Sequence, residues 1–377
     1  VENGRRQLAF CNAPEVHRVK TLADPHSRNY AVSCAPMLDT DQRRRTVAWW
    51  LLVCCGLVFG MVVLGGFTRL TGSGLSMADW RPLMGVLPPL SDADWQRVFE
   101  MYRQTPEFQL VNSSFGLSEF KEIFWLEYLH RLLGRIIGIV FLVPFVFFLV
   151  KGYIRRDEWL KYLLMFVLGG LQGLLGWYMV KSGLVDVPSV SQYRLTAHLL
   201  AAFAIYAYMF WVAMSLLFPA EKNSKKHAWY TRSLALFALV TVTIISGGFV
   251  AGLKAGKIYN TFPMMGEHWI PPGILALEPA WRNFFENMVT VQFDHRVLAI
   301  TTFVLVLIYW FRARSAALPV RARPAVNALL HTAILQVALG ISTVLLAVPV
   351  LLGAAHQAVA MLLFTVALYL VHSLRRV

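Results

Sequence analysis

The chain has 377 residues, 57% apolar and only 15% charged, with 35 Lys and Arg against 21 Asp and Glu and a net charge of +14. A soluble domain has about a quarter of its residues charged, so this composition excludes an ordinary soluble protein and points to an integral membrane protein. The basic residues are spread over connections between apolar runs, which also argues against a nucleic-acid-binding face.

Residues 1–45 contain no apolar run and mix Arg, His, Ser and Pro without periodicity, as expected of a flexible, positively charged leader. Its Arg and Ser content fits mitochondrial targeting, although Glu2, Glu15, Asp24 and Asp39 dilute the signature. Runs long enough to cross a hydrocarbon core of about 30 Å follow at 46–66, 129–150, 159–181, 194–218, 230–252, 293–311, 326–347 and 351–373. All eight are expected to be helices, because backbone in lipid must satisfy its own hydrogen bonds and no run alternates like a barrel strand. In the long connection 67–128, SDADWQRVFEMYR (91–103) has a capping Ser91 and places Trp95, Val98, Phe99 and Tyr102 on one face, predicting an interfacial helix. Of the four cysteines, Cys11 and Cys34 lie in the leader and Cys54 and Cys55 in the first span, so no disulfide framework is expected.

Orientation follows from the basic flanks: Arg43 to Arg45, Lys151 with Arg155 and Arg156, Lys222 with Lys225 and Lys226, Arg312 to Arg323, and Arg375 with Arg376. With eight spans these all fall on one side, placing both termini in the positive compartment. The other side receives the long connections 67–128 and 253–292, whose charges nearly balance.

The chain repeats itself. GGFTRLTGSGLSMADWRPLMGVLPP (65–89) pairs with GGFVAGLKAGKIYNTFPMMGEHWIPP (247–272), EYLHRLLG with QFDHRVLA, LQGLLG with LQVALG, and TAHLLAA with AAHQAVA. Each repeat holds four spans, an even number, so the halves share orientation and relate by an axis along the membrane normal. The expected fold is therefore an all-α integral membrane protein whose eight transmembrane helices form two pseudo-two-fold-related four-helix bundles. Residues 46–218 form the first bundle and 230–377 the second, joined by a basic linker at 219–229.

Four of the ten histidines sit in or at the mouth of a span with a repeat partner: His130 with His295 and His198 with His356. Each is followed four residues later by a small residue, Gly134, Ala202, Ala299 or Ala360, which leaves a flat wall on the same helix face. Two histidines per bundle at matching depth suit axial ligation of a porphyrin. Hydrogen-bonded interhelical histidines are the plainer alternative. Zinc is weaker, because no cysteine or paired carboxylate completes a tetrahedron. Arg131 and Arg296 follow two of the ligands, placed either to meet haem propionates or to snorkel to the interface. Glu127 lies three residues before His130, where the second half has Gln292. A carboxylate at the membrane edge is costly unless used, so this asymmetry suggests a chemically active first half; an ion pair with Arg131 or Lys121 is the alternative.

Together EYLHR, QFDHR, GWYMVKSGL (176–184), VSQYRLTAHL (190–199), GGFTRLTGSGLSMADW and FPMMGEHWIP resemble the haem A synthase family, most closely its mitochondrial members, over residues 46–377. The resemblance implies oxidation of the ring methyl of haem O to the formyl group of haem A, for cytochrome c oxidase. It implies a catalytic Glu127, a substrate haem flanked by His130 and His198, and a resident haem B held by His295 and His356. It places the protein in the mitochondrial inner membrane with the haem ligands towards the intermembrane space. Its implied partners are a matrix electron carrier such as a ferredoxin system and a supplying haem O synthase, and a homo-oligomer is compatible. Some bacterial members carry a cysteine pair in the first outer loop, which this chain lacks. A dihaem electron-transfer protein of bis-histidine type, cytochrome b-like, is the alternative function.

Overall fold

The computed structural model describes residues 35–77, 87–184, 188–219 and 225–375. Most of the expected leader, with Cys11 and Cys34, lies outside the described residues, as do Lys222, Arg376 and the Pro-x-Met-Gly core of the first repeat. The described chain is helical, with eight helices long and apolar enough to cross a membrane. They are α1 (Ala35–Leu70), α4 (Leu117–Val150), α5 (Trp159–Lys181), α6 (Gln192–Leu217), α7 (Tyr230–Leu253), α9 (Met288–Ala313), α10 (Ala322–Leu345) and α11 (Val350–Leu374). Between them lie α2 (Asp92–Arg103), α3 (Pro106–Leu110) and the short α8 (Asn283–Glu286).

Two helices run well beyond the expected boundaries. α1 starts at Ala35 and so includes the end of the segment expected to be a leader; Asp41 there pairs with Arg44 and Arg45 one turn on, the spacing that supports an exposed helix. α4 starts at Leu117, where Glu119 accepts the Gly116 backbone N–H at 3.0 Å and satisfies an orphan donor of the first turn. The added turns carry Phe120, Ile123, Phe124 and Tyr128, which pack with Trp95, Phe99 and Tyr102 of α2 into an aromatic cluster. The apolar face of α2 docks on α4. Its cap is as expected, with Ser91 Oγ accepting from Asp94 N at 3.1 Å.

Pro144 interrupts α4. Proline has no N–H, so the carbonyl four residues earlier loses its helical donor; the Trp50 indole N–H of α1 replaces it, donating to Val140 O at 2.9 Å. In lipid such a substitute is needed, because water cannot supply one.

Neighbour relations close two rings, α1–α4–α5–α6 and α7–α9–α10–α11, with α1 against α11 and α6 against both α7 and α11 between them. The crossings use equivalent glycines. A Cβ on Gly66 would lie 2.7 Å from Gln357 of α11, and one on Gly248 would lie 3.0 Å from Thr196 of α6. Small residues at such crossings let helix backbones approach where no hydrophobic drive separates lipid from protein.

The packed core lies towards the basic ends of the spans. It runs from Trp50 and Leu51 through Phe145, Tyr162, Phe210, Leu236, Val306 and Leu329 to Phe364 and Leu370, and it takes in Cys54 and Cys55. In the opposite halves of the spans, apart from the aromatic cluster on the extension of α4, buried apolar side chains are fewer, and the four paired histidines lie there.

Candidate functional site

His130 belongs to α4, His198 to α6, His295 to α9 and His356 to α11. His130 and His198 are close enough to interact electrostatically, as are His295 and His356. Each imidazole lies edge-on against a glycine of the helix that precedes its own in its ring. A Cβ added at Gly65 would sit 3.1 Å from Cε1 of His130, at Gly176 3.0 Å from that of His198, at Gly247 3.1 Å from that of His295, and at Gly340 2.9 Å from that of His356. Only hydrogen at these positions leaves room for the ring at this distance. The small residues four positions after the histidines are a separate feature; Gly134, for one, faces the tip of Met61.

The outward nitrogens differ. Nδ1 of His130, His198 and His356 is buried without a hydrogen-bond partner, whereas His295 Nδ1 lies 2.8 Å from Ser246 Oγ. Gln336 Nε2 is 3.3 Å from His356 Nε2, while its repeat counterpart Gln172 donates to the His198 carbonyl at 2.9 Å. Incompletely bonded buried imidazoles call for a partner the chain does not supply. Among the described residues no group of three or more His, Cys, Asp and Glu is arranged to hold a metal ion; what each ring of helices offers is a pair of imidazoles, a donor set that could hold a haem.

Glu127 is buried. Its Oε2 accepts from Ser76 Oγ at 2.7 Å and from Met77 N at 2.9 Å, and its Oε1 pairs with Arg131, which also reaches Met77 O at 3.3 Å. In the second half Gln292 donates to Tyr259 O at 3.0 Å, and Arg296 donates to Tyr259 O at 2.9 Å and Thr261 O at 2.8 Å. Both arginines thus tie a ligand helix to the loop that follows the preceding span in the chain, at equivalent loop positions. The neutral half needs only an amide there, whereas the charged half needs a cation and two further donors to hold its desolvated carboxylate.

One acidic residue escaped the sequence analysis. Glu107 of α3 is 6% exposed with Oε2 unpartnered. Burial first, and then the charge of nearby Glu127, push its carboxyl up to about 7, against the opposing influence of Lys254 and Tyr102.

Comparison with known proteins agrees with this geometry. Residues 48–368 match a family described as cytochrome oxidase assembly protein. The chain is 56% identical over 343 residues to a haem A synthase of Nitrosospira multiformis, covering 89% of this chain and 96% of that one. It is 46% identical over 389 residues to haem A synthase COX15 of Arabidopsis thaliana, covering 99% and 84%. It is 46% identical over 351 residues to the Homo sapiens COX15, covering 90% and 85%. This chain belongs to that family.

As a member of the cytochrome oxidase assembly family, the chain carries its repeat-paired histidines on glycine seats that were visible but unassigned in the sequence. GGF supplies Gly65 and Gly247, and the closing glycines of LQGLLG and LQVALG supply Gly176 and Gly340. Their recurrence was a signal; their contact with the imidazoles required helix packing.

Proposed function

We propose that this chain is a haem A synthase that oxidises the ring methyl of haem O to the formyl group of haem A in its first ring of helices, and that its second ring keeps a haem B. What carries the reading is the asymmetry of two otherwise matching sites: the same histidine pair on the same glycine seats, with a buried carboxylate beside one and an amide beside the other. The two rings are read as pseudo-two-fold-related bundles, 46–218 and 230–377 joined by the linker at 219–229. His130 and His198 flank the substrate haem, and His295 and His356 hold haem B. That haem supplies redox chemistry; the chain positions and excludes water.

Glu127 acts near the reacting methyl, three residues from His130 and on its helix face. Converting a methyl to an aldehyde removes two electrons twice, R–CH3 + H2O → R–CHO + 4 H+ + 4 e−, with water as the oxygen source and the electron-carrier partner as the acceptor; Glu127 would take up protons or orient that water. Arg131 pairs with Glu127 Oε1, while Ser76 and Met77 hold Oε2. Arg131 and Arg296 would be the residues to meet haem propionates, as cationic forks suited to carboxylates. We place the protein in the mitochondrial inner membrane, with both termini in the matrix and the ligands towards the intermembrane space. Its partners are then a ferredoxin-type matrix electron carrier and a haem O synthase supplying an insoluble substrate, and self-association is compatible.

The test is mass spectrometry of haems extracted after expression in a host that makes haem O but no haem A. The parent should yield hydroxymethyl or formyl haem, and Glu127→Gln should lower that yield about 10²- to 10⁴-fold. Unmodified haem alone from a haem-loaded parent would transfer the assignment to a dihaem electron carrier.

A further inference from the structure

The two halves differ behind their first histidines. Ser246 Oγ lies 2.7 Å from the Thr243 carbonyl and 2.8 Å from His295 Nδ1. A hydroxyl has one hydrogen, and a carbonyl can only accept. The hydrogen of Ser246 is therefore committed to Thr243 O, and the second contact is a hydrogen bond only if His295 Nδ1 is the donor. That fixes the neutral imidazole with its proton on Nδ1 and its lone pair on Nε2.

The surroundings reinforce the arrangement. Thr243 Oγ1 donates to Leu239 O at 2.9 Å and meets the buried Thr302 Oγ1 at 2.8 Å, so Thr302 is the donor to it. In the first repeat the positions of Ser246, Thr243 and Thr302 are Leu64, Met61 and Ile137, all apolar. His130 Nδ1 accordingly has no partner.

We propose that Ser246 is a positioning residue that locks His295 in the tautomer presenting Nε2 to iron, and that its replacement by Leu64 leaves the equivalent His130 loosely held, so that one half retains its haem and the other releases it. A proton donated from the far nitrogen orients a ligating imidazole and raises its basicity. A site that must exchange substrate for product at every turnover gains from lacking that anchor. The inference rests on the haem reading above and adds a residue that accounts for the firmer hold in the second half.

The experiment uses the haem-loaded protein in detergent, with the parent, His295→Ala, Ser246→Ala, Ser246→Thr and Leu64→Ser. Loss of the His295-dependent haem to a haem-scavenging protein is followed, and its midpoint potential is titrated. Ser246→Ala should speed that loss about 10- to 100-fold and move the potential positive, because a less basic ligand favours the reduced iron. Ser246→Thr, which keeps the hydroxyl, should restore both. Leu64→Ser should slow loss of haem from the first half. An unchanged rate and potential in Ser246→Ala, with a His295-dependent haem present in the parent, would overturn the proposal and leave the haem reading standing. A parent with no His295-dependent haem would overturn the haem reading and this proposal together.

Discussion

At the scale of single residues, the site is set by side chains that are absent. Four glycines bring helix backbone to within van der Waals distance of four imidazoles, and a methyl group at any of them would force the ring off its present plane. Overpacking of this kind costs about 1–3 kcal/mol. Gly65→Ala should therefore lower the melting temperature in detergent and the haem content of the first half alone, while Gly56→Ala, exposed and with open space around it on the same helix, should change neither. Alanine is the better helix former by about 1 kcal/mol, so equal losses from both variants would show that crowding at the imidazole is not the cause. Glu127 also illustrates residue-scale economy. Its three hydrogen-bonding contacts come from Ser76 and Met77, in the turn after α1, and from Arg131, so the carboxylate is held by the chain itself.

At the scale of elements, the α2–α3 segment is a cap docked on the extension of α4 through rings of both partners, with Tyr102 stacked on Phe120 at 5.0 Å. Glu107 sits inside this cap, facing Tyr102, Glu127 and Lys254. Its folded pKa is raised above the ordinary carboxylate value, so the docked cap binds the proton more tightly than the undocked one. The resulting stabilisation is complete below the ordinary value of 4.5 and is lost as pH rises through about 7. Hydrogen exchange of residues 92–110 should accordingly quicken between pH 5 and pH 8 beyond the intrinsic chemical rate. Glu107→Gln should abolish that extra increase, and an identical pH dependence in the variant would refute the assignment.

At the scale of the whole molecule, the basic flanks and the even number of candidate spans predict that both ends of the described chain lie on one side. Protease-sensitive tags at the C-terminus and at residues 225–229 should be cut from the same face of the membrane, and one inserted at 261–266 from the other. Cleavage of all three from one face would invert the topology. The molecule also divides by depth: side chains fill the layer at the basic ends, whereas the opposite layer is lined by histidines, glycines and loop-anchoring arginines.

Hydropathy and repeat were enough to identify the eight helices and to pair the histidines, because a membrane forces apolar length onto every span and duplication writes matching positions twice; the family was legible only through its resemblance in several long motifs. They also singled out Glu127 through its contrast with Gln292. Helix ends were less legible: α4 runs twelve residues past its apolar stretch because aromatic residues on its charged extension find partners on α2, and no local pattern specifies that partner. The same holds for Glu107, whose burial depends on the cap closing over it. Ser246 is the sharpest case. In sequence it is one more small residue beside a glycine pair, and only tertiary packing, which brings α7 against α9 with the hydroxyl between a carbonyl and a ring nitrogen, decides the protonation of the histidine it touches.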